Sequence, residues 1–334
     1  MKIAIIGSGA WGSALAQVLV DNHHDVWVYG RSEDEINALN ERHQNPAYFG
    51  ELVLASGIKA TMDMNKAVHG VGLIVLAVPV VALRTVCAEL VPLLHTRPMI
   101  VNVAKGFDPL TGGRLSDAIR SVIPLEKRTE ICSLIGPSYA EEVAERLYTT
   151  IASVSVDPHV AAMVQSVFSN NYFRTYTLHD EIGAEYGAAM KNIIAVASGI
   201  IAGMGFRDNT RAGLITRGLA EMMKWGTAMG AKRDTYLGLT GLGDLTLTAS
   251  SSTSRNFQAG FAIGKDGHAA NFLAHNTKTV EGILATKLVH EQSVKAGVEL
   301  PIVNAVYAVL YEGKDVKTAI QALVNRKLKA EFEG

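Results

Sequence analysis

The sequence predicts an α/β domain built on a doubly wound, mainly parallel sheet, followed by an all-α domain. Three observations carry this. An apolar run at residues 3–6 leads straight into a glycine-rich turn and a helical pattern. Runs of strand length then alternate with helical patterns as far as about residue 176, and beyond residue 180 they give way to long Ala/Gly/Met-rich stretches. A chain of 334 residues exceeds one ordinary core, so two domains are expected, 1–180 and 181–334.

In chain order, residues 3–6 read as a strand buried on both faces. Trp11, Ala14, Leu15, Val18 and Leu19 repeat at helical spacing. The turn between them is Gly7-Ser8-Gly9-Ala10-Trp11-Gly12, and a second strand at Asp25–Tyr29 closes the βαβ unit. In that context the glycines mark a dinucleotide pyrophosphate site. Helix N–H groups face the anion, and the backbone can approach it without a Cβ in the way. Further strands are expected at 73–78, 99–103, 131–135, 150–154 and 172–176, with ligand-facing turns at Pro79, Lys105-Gly106-Phe107 and Gly136-Pro137. Helices are expected at 181–205, 210–229, 279–296, 302–311 and 315–324. No proline-rich linker intervenes, so the helix from 181 should join the domains directly, with a cleft between them.

Composition narrows the function. The chain has 31 basic and 32 acidic residues, a net charge of −1, which supports neither nucleic-acid binding nor a membrane-surface field. Cys87 and Cys132 stand singly in apolar surroundings, as expected of a reducing, cytoplasmic location. The first strand begins at Lys2, so no export signal is expected. The apolar stretch 193–206 holds only 14 uncharged residues, short of the ~20 a membrane span needs; a buried core helix is expected and no stable membrane insertion. The assembly stays open between a monomer and a homodimer.

Several residues have the character to carry chemistry. Arg31 stands at the end of the second strand, where an NAD site usually places an acid. With Ser32 it suits a 2′-phosphate, the alternative being a solvated arginine; Glu33 and Asp34 are near enough to help bind NAD. Lys191 lies in a segment too apolar for a solvated face. Burial should lower its pKa from about 10.4 toward the range of a general acid or base, unless it is paired structurally or reaches the surface. Asp244, in the glycine-rich loop 240–246, is either a catalytic acid or a cap. Ser254-Arg255-Asn256 opens a helical pattern and combines an arginine fork, an amide and helix N–H groups, which suits a phosphate monoester. Ser138 and Glu141 have capping-box spacing at a strand's carboxyl end, and Lys105 is either a loop lysine or a cleft cation. No metal-ligand spacing, nucleophile elbow or Walker A sequence appears.

With these residues placed, the chain resembles the bacterial-type NAD(P)-dependent glycerol-3-phosphate dehydrogenases, within the wider group that includes 6-phosphogluconate dehydrogenase. The resemblance runs nearly end to end. It rests on GSGAWGSALA at 7–16, VPV at 78–80, AKGF at 104–107, GPSYAEEVA at 136–144, AAMKNIIAVASGI at 188–200, TRAGLITRGLAEM at 210–222, TGLGDLTLT at 240–248, SSTSRN at 251–256 and VEGI at 280–283. It implies a Rossmann-like first domain with an all-α second domain, as in 6-phosphogluconate dehydrogenase. The implied reaction is reversible hydride transfer between NAD(P)H, NADPH favoured, and dihydroxyacetone phosphate, giving sn-glycerol 3-phosphate for glycerophospholipid synthesis. Lys191 would be the acid–base residue and Asp244 would orient it. Lys105, Gly136, Ser138, Ser254, Arg255 and Asn256 would hold the phosphorylated three-carbon substrate. Gly7, Gly9, Ala10, Trp11, Gly12, Arg31, Lys105, Ala140, Arg255, Thr279 and Glu281 match cofactor positions, although a threonine at 279 replaces an expected apolar residue. The rivals are a ketopantoate reductase or β-hydroxyacid dehydrogenase of the same architecture, and a non-catalytic NAD(P)-binding redox sensor.

Overall fold

The computed structural model describes residues 1–328, 330 and 331. The chain forms two compact units, one of residues 1–188 with 231–244 and the other of 189–230 with the chain from Leu245 onward.

The first unit is an eight-stranded sheet: β1 (Lys2–Ile6), β2 (Asp25–Tyr29), β3 (Ile58–Thr61), β4 (Leu73–Leu76), β5 (Met99–Asn102), β6 (Ile131–Ile135), β7 (Thr149–Val154) and β8 (Phe173–Leu178). Their order is β3-β2-β1-β4-β5-β6-β7-β8. Ile3, Ala4, Ile5 and Ile6 are fully buried because each face of β1 meets its own core. Ile3 and Ile5 pack with Leu15 and Leu19 of the helix Ala10–Asp21, and Ala4 and Ile6 pack with Ile74, Leu83 and Cys87. A strand covered on both sides reads as an unbroken apolar run.

Two features of the sheet were not foreseen. Strand β3 is only four residues long with Lys59 exposed, so it has no apolar run to announce it. Strand β7 runs antiparallel to β6 and parallel to β8. The exposed edge of β8 is closed by its own flank. Asn170 Oδ1 accepts from Phe173 N at 2.7 Å, Ser169 Oγ accepts from Thr175 N at 3.3 Å, and Gln165 donates to Thr175 O at 2.9 Å. An edge satisfied in this way is a poor template for pairing with another chain.

The compact units divide between residues 188 and 189, eight residues beyond the expected boundary at 180/181, and residues 231–244 return to the first unit. Side chains explain both changes. Asp180 accepts from Lys232 N at 2.8 Å and from Thr235 Oγ1 at 2.6 Å, which ties the returning segment down. The first turns of the helix Glu181–Gly203 are held by the sheet domain: Glu181 pairs with Arg114 at 2.8 Å and Arg120 at 2.7 Å. Glu185 accepts from Ser116 Oγ at 2.9 Å and Ser133 Oγ at 3.1 Å.

Burial, with the Glu181 carboxylate beside it, pushes the Glu185 carboxyl up to about 7 from an ordinary value of 4.5. Between those values the folded chain holds a proton that the unfolded chain has lost. The stability linked to it is therefore complete below about pH 4.5 and is lost as pH rises through about 7. Glu185→Gln keeps a neutral group at all pH. Its stability relative to the parent should be on the order of 3 kcal/mol more favourable at pH 8 than near pH 4.5. Urea unfolding at the two pH values measures this, and a pH-independent difference would exclude a buried proton on Glu185.

The second unit is helical. It comprises the later turns of Glu181–Gly203 together with Asp208–Ala228, Arg255–Asp266, Ala270–His275, Glu281–Lys295, Pro301–Tyr311 and Val316–Val324. Glycines let two of these helices cross in backbone contact. A Cβ on Gly260 would lie 2.0 Å from Val196 O, and one on Gly264 would lie 2.1 Å from Ile200 O. Reciprocally, a Cβ on Gly199 would lie 2.0 Å from Phe257 O. Helix Glu181–Gly203 is long and apolar enough to cross a membrane, but 83% of its most apolar window is buried in the protein. Packing against neighbouring helices accounts for that apolarity.

Candidate functional site

The glycine turn lies between β1 and the helix Ala10–Asp21, as the sequence predicts. Gly7 has φ 121°, and a Cβ there would stand 2.3 Å from Ala77 O; one on Gly12 would stand 2.0 Å from Gly7 O. These two glycines are demanded by the fold. Gly9 is different: its φ is an ordinary −66°, and a Cβ would meet nothing of the protein closer than Tyr48 Oη at 3.8 Å. Gly9 is also the N-cap, and it offers the helix no side-chain cap bond. The protein therefore leaves a helix N-terminus without a side-chain cap, at a glycine faced by Tyr48 alone, which fits a pyrophosphate. Asn45, fully buried, fixes the turn by donating to Ser8 O at 2.7 Å and Ser13 Oγ at 2.9 Å.

Trp11, Ala10 and Ala140 are half-buried, with Trp11 and Ala140 packed against the core below the turn. Arg31 is exposed one residue past Gly30 at the end of β2. Ser32 caps the short helix Glu33–Asn37 by accepting from Glu35 N at 3.3 Å. Glu33 and Asp34, named as aids to NAD binding, are exposed; Glu35 is the acid that turns back, and Ser8 Oγ donates to its carboxylate.

A second group gathers at the carboxyl ends of β5 and β6. Lys105 Nζ donates to Gly136 O at 2.9 Å and pairs with Asp244 at 2.8 Å. Ser138 Oγ also donates to Gly136 O, at 3.2 Å. The expected capping box does not form, because helix Ala140–Ala144 takes Tyr139 as its N-cap and Ser138 lies one residue too early. The 240–246 segment is not a loop. Leu239–Gly243 is a wide helical turn leading into helix Asp244–Ser250. Gly241 allows this, since a Cβ there would stand 2.2 Å from Tyr236 O. Asp244, with a side chain 1% exposed, is a buried anion whose lysine partner is 18% exposed. Pairing with the lysine offsets part of the cost of burying the carboxylate.

The third group lies in the helical unit. Lys191 is 5% exposed and donates to Thr248 Oγ1 at 2.8 Å. The reading of Lys191 as a snorkelling surface lysine is thereby removed. Its neighbour Asn192 accepts from Asn256 Nδ2 at 3.0 Å, and Asn256 Oδ1 in turn accepts from Gly282 N at 2.9 Å. A Cβ on Gly282 would stand 2.6 Å from Asn192 O, so the start of helix Glu281–Lys295 is pressed against the Lys191 helix. Ser254 caps helix Arg255–Asp266 by accepting from Phe257 N at 3.4 Å. Arg255 is exposed and lies 3.6 Å from Glu281; an exposed pair of this kind contributes little and can be exchanged for a ligand anion. Thr279 is exposed outside any helix.

Sequence reasoning missed Thr248 and Asn192. Thr248 stands one turn after Asp244 on the same short helix. A helical reading of 244–250 would have put the two on one face. Asn192 carries no periodic signal of its own.

The N-terminal model of the NAD-dependent glycerol-3-phosphate dehydrogenase family matches residues 2–161, and its C-terminal model matches residues 180–321. The chain belongs to the NAD-dependent glycerol-3-phosphate dehydrogenase family. A glycerol-3-phosphate dehydrogenase [NAD(P)+] of Limosilactobacillus reuteri is 43% identical over 335 residues, covering 99% of each chain. The crystal structure of a glycerol-3-phosphate dehydrogenase from Coxiella burnetii superposes with TM-score 0.88 at 32% identity, over 97% of this chain and 98% of that one. A ketopantoate reductase from Ralstonia eutropha, at TM-score 0.60 and 17% identity, shares the fold alone. The chain is thus an NAD(P)-dependent oxidoreductase.

Proposed function

We propose that this glycerol-3-phosphate dehydrogenase interconverts dihydroxyacetone phosphate and sn-glycerol 3-phosphate with Lys191 as the acid–base residue. The observation that carries the assignment is a buried lysine held by Thr248 at 2.8 Å. In the reducing direction an alkoxide forms on the substrate, and Lys191 Nζ gives it a proton. In the oxidising direction the same amine takes the proton from the hydroxyl. Thr248 positions the amine, and exclusion of water strengthens its interaction with the developing charge. A nicotinamide cofactor bound at the glycine turn would supply or accept the hydride.

Asp244 and Lys105 hold each other as an ion pair beside Gly136 and Ser138, and we assign them to binding and orienting the substrate's oxygen atoms. Asn256, locked between Asn192 and Gly282, sets the start of the helix that presents Ser254 and Arg255 to the phosphate. Phosphate binding then serves to fix the carbonyl for reaction. Arg31 serves the 2′-phosphate of NADP, with NADPH the favoured donor. The buried cysteines Cys87 and Cys132 support the cytoplasmic assignment.

The test follows absorbance of NADPH and of NADH with dihydroxyacetone phosphate, and with the unphosphorylated ketone as control. Turnover should require the phosphate, with kcat/KM at least ~10²-fold lower for the unphosphorylated ketone, the scale of two charge-assisted hydrogen bonds. Equal rates for both ketones would remove the phosphate role of Ser254, Arg255 and Asn256.

A further inference from the structure

The adenosine end of the dinucleotide site carries two opposite charges, and only the positive one is at the usual place. Arg31 occupies the end of β2, where an acid would accept the ribose hydroxyls. Four residues on, one turn along helix Glu33–Asn37, Glu35 comes back over the glycine turn, and Ser8 Oγ donates to its Oε2. The clasp has no slack. A Cβ on Gly30 would stand 2.3 Å from Ser8 Oγ, so the strand end is pressed on the same hydroxyl that holds the carboxylate. Tyr48 closes the other side. Its hydroxyl is the protein atom nearest to the open face of Gly9, and burial, then the Glu35 carboxylate, pushes its phenol above the ordinary value. Glu35 is only half-buried, so the carboxylate stands at the rim of the turn.

We propose that Glu35, clasped by Ser8, is the residue that keeps NAD usable in this site: its carboxylate accepts a ribose hydroxyl and disfavours a 2′-phosphate, opposing Arg31. The inference rests on the dinucleotide reading of the glycine turn. With Oε2 engaged by Ser8, Oε1 is left for the ribose. A hydroxyl donates to it, whereas a phosphate dianion at the same carbon meets a like charge. Arg31 contributes the reverse preference, and the balance of the two permits both cofactors.

The experiment measures dissociation constants of NADH and NADPH by calorimetry, without substrate, for the parent, Glu35→Gln, Glu35→Asp and Arg31→Ala. Glu35→Gln should weaken NADH and tighten NADPH, changing the ratio of the two constants about tenfold, the scale of one hydrogen bond to a charged group. Glu35→Asp, which retains the charge, should return most of the parent's ratio. If Glu35 merely braced the turn, both cofactors would weaken together and the ratio would stay at the parent's value, which overturns the proposal. Arg31→Ala separates the two readings. An unchanged ratio there with a shifted one in Glu35→Gln removes the 2′-phosphate role of Arg31 and leaves Glu35 standing. A parent that binds neither cofactor overturns both.

Discussion

Replacing Lys191 with alanine is expected to lower kcat about 10³–10⁴-fold while leaving the dissociation constant of NADPH within about twofold of the parent's. The variant gives up the hydrogen bond from the Lys191 ammonium to Thr248. Thr248 can turn its hydroxyl elsewhere on its own helix, and loss of a buried charge removes a desolvation cost, so the fold should survive. The alkoxide, by contrast, loses the group assigned to protonate it. Stopped-flow measurement of a single turnover with saturating NADPH isolates that step. Turnover within tenfold of the parent's would take Lys191 out of the acid–base role. Added primary amines should restore part of the rate, since a small amine can enter the space the side chain vacates.

The second large effect is expected where two helices of the second unit cross. Gly260→Ala places a methyl 2.0 Å from Val196 O and 2.9 Å from Ile200 N, and neither backbone atom can move aside without shifting a whole helix. Overpacking of this kind costs about 3 kcal/mol or more when the obstacle is main chain rather than a flexible side chain. The urea midpoint should fall accordingly. The same two helices carry Asn192 and Asn256, whose side chains bond at 3.0 Å, so separating them should also raise KM for dihydroxyacetone phosphate with less effect on the NADPH constant. A variant as stable as the parent would mean that the crossing is looser than the structure shows.

Much of this molecule is written locally. Residues 3–6 are apolar throughout because β1 is buried on both faces, and that pattern is visible one residue at a time. The long helices of the second half announce themselves in the same way. Strand β3 escaped because its four residues are split by exposed Lys59, and the antiparallel turn of β7 has no local signature. At the site, the residue types singled out Lys105, Lys191, Asp244 and Asn256 as groups worth placing. Their partners did not follow from type. Glycines at 241 and 243 suggested a loop, whereas the structure shows helical turns, since Gly241 admits the backbone of Tyr236 rather than freeing the chain. The capping box at Ser138 failed by one residue, a difference that spacing alone does not resolve.

The sequence by itself determined the class of chemistry. A strand, a glycine turn and a helix specify dinucleotide binding because those three elements are contiguous, and a lysine in an apolar segment marks a residue to be placed. Tertiary structure alone decided which charges meet. Lys105 and Asp244 are 139 residues apart in the chain and 2.8 Å apart in space. Lys191 finds its hydroxyl partner 57 residues away, and Glu35, not Glu33 or Asp34, reaches the glycine turn. Periodicity records which side of an element faces the core, a property of each segment alone. The pairing of two distant side chains depends on how separate segments pack, and no single segment carries that information.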